Sequence, residues 1–501
     1  MIRMKTLKSI WNRCKTKKDL SVPGFTLLLC ILTMIVLVHY SGYSFWGDEI
    51  GTIAIANPTH TLYETLMIDL TEDTTVAPLF YLVANLWMRV APYGTSRLLL
   101  ICEIFVCIGI FITAMTAKNI SGNICGIAAA VLSAVMPYLA IQGAYEFRSY
   151  AVCYLFTTLT LYFYFRKLKD PRLSNIIFYG ISAIFMSYSL YSAVLLYFAM
   201  FLADLFLFLK KRISIKNIIS YLLWGALFFP VLVYAFLHVS ARGTSFWTSA
   251  PAFSQIFTVI PEILIDPLLI ILWYAGVVWM LYRFIRLLQN NNENNFSKYY
   301  PALFLYWLTL ACRIVNFIYS NLNSRNSMWT PRYFFFLLPC IVLFITLAFY
   351  DILTQVFRRT NAGSVKVIVP VTAVICACYL ELSFIQTCKR ERYPEIIRQP
   401  FEQGAEFLRT MDDLQAPDTA VYYSAYNIEA WQYYLAHGDM TPGIFNLLPM
   451  DVSGIDLSPY KTIYIMIIEH PMLETSRDIF EREYLSEEIH HDYRIYRLTR
   501  K

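Results

Sequence analysis

Two adjacent carboxylates, Asp48 and Glu49, stand directly after the first long apolar run of the chain. A carboxylate at such a boundary is partly desolvated and can take a proton from a hydroxyl. Taken alone, an Asp-Glu pair there is more often a solvated interface than a catalytic site. Two further stretches carry charge at comparable boundaries: Tyr145-Glu146-Phe147-Arg148-Ser149-Tyr150, and Arg332-Tyr333. The planar fork of an arginine suits a phosphate bidentately. A single arginine at the edge of an apolar run reads first as a side chain snorkelling to water or headgroups. Two arginines and two carboxylates at one depth are a rarer arrangement, and they suggest a site for an anionic, lipid-borne substrate.

The elements that must position these residues are set by composition. The chain has 501 residues, 57% hydrophobic and only 15% charged, against roughly 25% charged in soluble globular proteins. Mean hydropathy is +0.49. These values exclude a soluble multidomain enzyme, a disordered chain and a secreted disulfide scaffold, and leave a polytopic membrane protein. Net charge is +6, but residues 390–501 hold 11 Lys and Arg against 19 Asp and Glu. Residues 1–389 are therefore strongly basic, in short clusters between apolar runs. That is the pattern of cytoplasmic loops rather than of a nucleic-acid surface, so no nucleic-acid partner is expected. The eleven cysteines show no CxxC or Cys/His metal spacing, and residues 390–501 contain none.

Val22 to Trp46 is 25 residues without a charge, preceded by seven Lys and Arg within the first twenty positions. It reads as an uncleaved signal anchor with a cytoplasmic N-terminus. Further spans are expected at about 97–117, 124–144, 150–165, 176–191, 192–209, 218–238, 266–282, 301–320, 333–350 and 367–387. About eleven spans place every basic cluster on one side, as the positive-inside rule requires. The short apolar stretch Val76–Val90 would break that parity if it crossed, so it is expected to lie along the outer face as an interfacial helix. The expected fold is mostly α: a transmembrane helix bundle over residues 1–389, with a structured outer loop at 45–96, and a small extracytoplasmic α/β domain over 390–501. In that tail, helices are expected at 395–411, 427–437 and 472–485, and strands at 419–424, 461–468 and 492–498.

Intramembrane ionisable residues mark function by default. Here they are Glu103, Asp204, Arg313 and Glu381. Glu103 and Arg313 are weighed as an interior ion pair against a direct role. Asp204 is expected to be solvated near the inner end of its span, and Glu381 to face the same cavity as the outer carboxylates. His238 is expected at the interface. No Walker A loop, GxGxxG or HExxH is present, so no nucleotide cofactor is expected; a divalent cation stays open.

The residues in these positions resemble the GT-C superfamily of integral-membrane glycosyltransferases, in particular the branch of protein O-mannosyltransferases and lipid A aminoarabinose transferases. The likeness is carried in order by FWGDE at 45–49, DTTVAPLFYLVANLW at 73–87, YEFRSYA at 145–151 and TPRYFFFLLP at 330–339, with AYNIEAWQYYL at 425–435 in the tail. Where the family has His-Pro, this chain has Val76-Ala77. The resemblance implies a polyprenyl-phosphate-sugar donor and a glycan, lipid or protein acceptor, in contact with membrane lipids, at the outer face of the cytoplasmic membrane. It implies Asp48 as the base for an acceptor hydroxyl, with inversion at the sugar, and Glu49 beside it. Arg148 and Arg332 would hold the donor phosphate, and Asp73, Glu146, Tyr150 and Tyr333 would contact substrate. Two other classes compete: a transporter or flippase for lipid-linked glycans, and a glycan polymerase or ligase. A transporter should carry charges at the midplane and pseudo-repeats; here no repeat is seen and the charges cluster at one face.

Overall fold

The computed structural model describes residues 21–41, 45, 47–72, 77–91, 93–241, 249–290, 293–322, 327–359, 365–389, 401–423, 433–436, 444–449, 451–467, 472–491 and 494–501. Hydropathy dictates most of it. Among the described residues six helical stretches are long and apolar enough to cross a membrane: Val22–His39, Thr95–Ser121, Tyr191–Leu209, Pro267–Arg286, Tyr299–Leu322 and Pro331–Val356. The protein is a multi-pass membrane protein of mostly helical architecture.

The chain enters α1 (Val22–His39) with a proline in its first turn, where a missing N–H costs nothing. Three short helices follow: α2 (Gly47–Ile55), α3 (Leu62–Glu72) and α4 (Leu79–Met88). At ten residues, α4 is about 15 Å long, half of what a span needs. The stretch 77–90 therefore contains a helix too short to cross. Asn85 of α4 ties the group together, donating to the carbonyls of Asn57 and His60 at 2.8 and 3.1 Å.

Gly94, at φ 103°, lets the chain turn into α5 (Thr95–Ser121), and Gly122, at φ 92°, separates it from α6 (Asn123–Ala134). A side chain at either φ would be strained. The expected span 124–144 is not continuous. Helix α6 stops, and after Pro137 the chain forms a π-helical segment, Leu139–Ala144. Pro137 cannot donate to the ladder and its ring crowds the preceding turn.

Next come α7 (Tyr150–Lys169), α8 (Leu173–Ser189), α9 (Val194–Leu209) and α10 (Ile215–Ala241). They are followed by α11 (Gln255–Leu264), α12 (Pro267–Asn290) and α13 (Glu293–Leu322). In α11, Pro261 leaves the Phe257 carbonyl without its helical donor, and Tyr274 of α12 supplies its hydroxyl at 3.1 Å. A 3-10 segment, Pro331–Leu337, leads into α14 (Leu338–Arg359), and α15 (Val365–Cys388) ends the bundle. The apolar window within Pro331–Val356 is 78% buried, against 28% for Val22–His39. The first is therefore the axis of the bundle and the second lies at its rim.

The tail carries α16 (Phe401–Leu408), β1 (Thr419–Tyr423), β2 (Leu447–Leu448), β3 (Thr462–Met466), α17 (Glu474–Glu483), β4 (Tyr484–His490) and β5 (Ile495–Arg500). They form a mixed sheet in the order β2-β1-β3-β5-β4. The first three strands are parallel, and β5 runs antiparallel to both β3 and β4. Ala420, Tyr422, Ile463 and Ile465 pack with Phe480 of α17 on one face. Val421, Tyr464 and Met466 face the other way and join the apolar core that runs through the bundle. Period-2 alternation thus joins the sheet to the helices. Expected strands at 419–424, 461–468 and 492–498 are present with shifted ends. The expected helix 472–485 gives way at Tyr484 to β4. Of the expected helices 395–411 and 427–437, Phe401–Leu408 and residues 433–435 are helical, and 390–400, 424–432 and 437 lie outside the described residues.

Candidate active site

Asp48 and Glu49 occupy the first turn of α2, where carboxylates complement the positive end of the helix dipole. Neighbours on a helix point about 100° apart, and here that divides them between two environments. Glu49 is fully buried and its Oε1 accepts the Phe147 N–H at 2.6 Å. The Asp48 side chain is 43% exposed. Its Oδ2 is ion-paired with Arg148 Nη1 and lies 3.4 Å from Arg332 Nη1. Three segments separated by 100 and 284 positions thus meet on one oxygen.

Each partner is set by its own element. Arg148 sits in the short bend between the π-helical segment and α7, and its guanidinium lies 6.0 Å from the centre of the Tyr150 ring. Burial works against its charge, but Tyr150, Asp48 and Glu146 more than offset this and raise its affinity for the proton. Arg332 enters on the 3-10 segment, whose Tyr333 carbonyl accepts the Ser192 hydroxyl at 2.7 Å. Glu146 is buried and accepts from Gln142 Nε2 at 2.5 Å. Behind these groups lies an aromatic wall. Phe147 packs against Phe45 and Phe80, with ring centres at 5.9 and 5.2 Å, and Tyr150 against Phe335 at 5.5 Å.

The structure therefore brings together Asp48, Glu49, Glu146, Arg148, Tyr150, Arg332 and Tyr333 of the expected site residues. Asp73 lies outside the described residues, as does the side chain of His238. Gln142, Phe45 and the Phe147 N–H are additions. Only Gln142 left a trace in the sequence, its i,i+4 spacing from Glu146.

Two expectations for the intramembrane charges are corrected. Glu103 and Arg313 are not an ion pair. Arg313 donates to the carbonyls of Thr309 and Ile256 at 3.0 and 2.8 Å, and Glu103 is buried with neither carboxyl oxygen hydrogen-bonded among the described residues. Asp204 is not solvated: its side chain is fully buried against Lys167 Nζ at 2.9 Å. Glu381 is exposed on α15. No group of three or more His, Cys, Asp or Glu that could hold a metal ion occurs among the described residues.

A carboxylate shared by two guanidiniums is a poised arrangement. A phosphate oxygen presents the same charge and hydrogen-bonding geometry as the carboxylate. Either arginine can exchange Asp48 for such a group without moving far, because the cluster is open to solvent on the Asp48 side.

Comparison with known proteins bears on the fold. The sequence pattern of the dolichyl-phosphate-mannose-protein mannosyltransferase family matches residues 75–237, about a third of the chain, and includes Arg148. The crystal structure of ArnT from Cupriavidus metallidurans in the apo state superposes with a TM-score of 0.58 at 11% identity, over 95% of this chain and 97% of that one. The chain shares the GT-C fold of that protein. The same ArnT bound to undecaprenyl phosphate superposes with a TM-score of 0.56 at 9% identity, covering 95% of this chain and 98% of the other. A search of curated protein sequences finds no match. At such identities the shared property is the GT-C fold, so the roles of individual residues rest on their own geometry.

Proposed function

We propose that the protein transfers a sugar from a polyprenyl-phosphate-sugar donor to an acceptor hydroxyl at the outer face of the cytoplasmic membrane, with inversion. The observation that carries this reading is the meeting of Asp48 with Arg148 and Arg332 on one carboxylate oxygen. The bound lipid phosphate of the ArnT complex supports the donor class. The N-terminus is then cytoplasmic. Residues 390–501 form an extracytoplasmic domain beside the site, and residues 1–389 the catalytic membrane domain.

The chemistry follows from charge. As the donor phosphate arrives, Arg148 and Arg332 pass from Asp48 to its oxygens. The freed carboxylate of Asp48 faces the acceptor. The acceptor hydroxyl attacks the anomeric carbon from the side opposite the phosphate, and its proton passes to Asp48. The bond from the anomeric carbon to the phosphate oxygen breaks, and the leaving polyprenyl phosphate carries its extra negative charge against the two guanidiniums. Preorganised charge of this kind is worth several kcal/mol of barrier. Glu49 holds the backbone at Phe147, and so the root of Arg148, in register. Glu146, Tyr150, Tyr333 and Asp73 line or flank the substrate.

The test is to incubate purified protein with a panel of radiolabelled polyprenyl-phosphate sugars and glycan, lipid and protein acceptors. One donor should be used, and Asp48→Asn should abolish transfer while the protein still purifies as a folded membrane protein. Transfer from no donor would favour a transporter of lipid-linked glycans, and normal transfer by Asp48→Asn would remove the base assignment.

A further inference from the structure

The C-terminal α/β region reaches the candidate site through a buried phenol. The N–H of Phe45 donates to the hydroxyl of Tyr434 at 2.5 Å, across 389 positions. Both residues are buried, at 0% and 1% exposure. Close by, the Thr95 hydroxyl donates to Glu402 Oε2 at 2.9 Å. The adjacent Tyr433 packs its ring against Phe45 and Tyr93, with centres at 6.3 and 5.5 Å. The helical residues 433–435 therefore close on the stretch of backbone that leads into α2, and α16 closes beside them on the start of α5.

The position of Phe45 gives this contact its interest. It lies three residues before Asp48, and its ring packs on Phe147, the residue before Arg148. Phe45 is thus linked to Asp48 along the chain and to the neighbour of Arg148 through its ring. Helix α2 has nine residues, too few to be stable by itself. Its N-terminal turn is held by what touches it, namely Glu49 on the Phe147 N–H and Phe45 on Tyr434. Removal of the phenol hydroxyl strands the buried Phe45 N–H, and a backbone donor in that state shifts until it finds another acceptor.

We propose that Tyr434 is a positioning residue through which the C-terminal region fixes Asp48 against its two arginines. The inference rests on reading Asp48 as the catalytic base. Its consequence is that the tail does more than contact an acceptor: its seating sets the geometry of the base. A displacement of about 1 Å at a reacting group is enough to lower a rate on the order of a hundredfold.

The experiment uses the full-length protein as wild type, Tyr434→Phe and Asp48→Asn. Hydrogen exchange read by mass spectrometry reports on the Phe45–Ile55 segment without any substrate. Tyr434→Phe should speed exchange there about fivefold or more, the worth of one hydrogen bond, with no change in strand Thr462–Met466. With the donor found in the panel, Tyr434→Phe should lower kcat about tenfold while the donor KM stays within about twofold, since the arginines remain. A merely structural tyrosine would lower yield and thermal stability but leave kcat per folded molecule intact, and that result overturns the proposal. Unchanged exchange at Phe45–Ile55 overturns it as well, with the base reading untouched. Full transfer by Asp48→Asn removes the base reading instead, and the positioning role with it.

Discussion

Replacing Asp204 by asparagine should destabilise the protein severely without touching its chemistry. Asp204 and Lys167 are paired at 2.9 Å with both side chains fully buried. The other bonds to the carboxylate come from the hydroxyls of Tyr164 and Tyr221, at 2.7 and 2.9 Å. The rings of Tyr179, Tyr221 and Tyr164 surround the ammonium at 4.2, 4.6 and 5.1 Å. Asparagine keeps the volume, so no cavity forms, but the ammonium loses its counter-charge where no water reaches it. Breaking a buried pair from one side costs about 3–5 kcal/mol. The surrounding rings return part of that, which places the expected loss near 3 kcal/mol. The double variant Lys167→Met/Asp204→Asn carries no stranded charge and should recover most of the loss. Lys167 lies seventeen residues along α7 from Tyr150, about 25 Å, so sugar transfer per folded molecule should be retained. The assay is thermal inactivation in detergent, read as half-life at fixed temperature because unfolding of such proteins is rarely reversible. A single variant as long-lived as the parent, or a double variant no better than the single, would refute the reasoning.

Arg332→Ala should raise the donor KM at least tenfold with little change in yield, because Arg332 is partly exposed and its partner Asp48 keeps Arg148; unaltered donor kinetics would make Arg332 a lipid anchor. Glu49→Gln should lower both yield and transfer: the amide can still accept the Phe147 N–H, but it forfeits the charge-assisted part of that bond, about 1 kcal/mol, and thermal inactivation of the variant reads the loss directly. A reporter fused after Lys501 should score outside the cytoplasm, and a cytoplasmic signal would break the assignment of the outer face.

Much of the bundle was legible because hydrophobic length is the dominant constraint on a membrane chain. The breaks were less legible. Pro137 lies inside an apolar run, and hydropathy alone does not say whether a proline kinks a span or ends it. Strand β4 was hidden because Glu487 and Glu488 continue the charged pattern of α17, and its outward residues are exposed on an edge strand with no apolar face to announce it. At the site, the sequence placed Asp48, Arg148 and Arg332 at one membrane face, but only tertiary packing could bring them to a single oxygen. Asp204 was misjudged for the opposite reason. Its nearest charges in sequence, Lys210 and Lys211, suggested solvation, while the partners that bury it come from α7, α8, α10 and α13.

The two ion-pair clusters at opposite ends of α7 show how similar chemistry serves different ends. At the Lys167 end every group is closed off: the pair has no exposure, and each carboxylate oxygen of Asp204 is spoken for. Such a cluster cannot trade partners, and its work is to lock five helices in one arrangement. At the Arg148 end the carboxylate is 43% exposed and its two arginines 14% and 21%. Water reaches it, so its bonds are exchangeable, and in the proposed reaction an incoming phosphate takes their place. The buried member of the acidic pair, Glu49, supplies to the open cluster the rigidity that exposure removes, by fixing the backbone at Phe147. An acidic residue whose partners can leave, beside one whose partner cannot, is the division of labour that a base and its scaffold require.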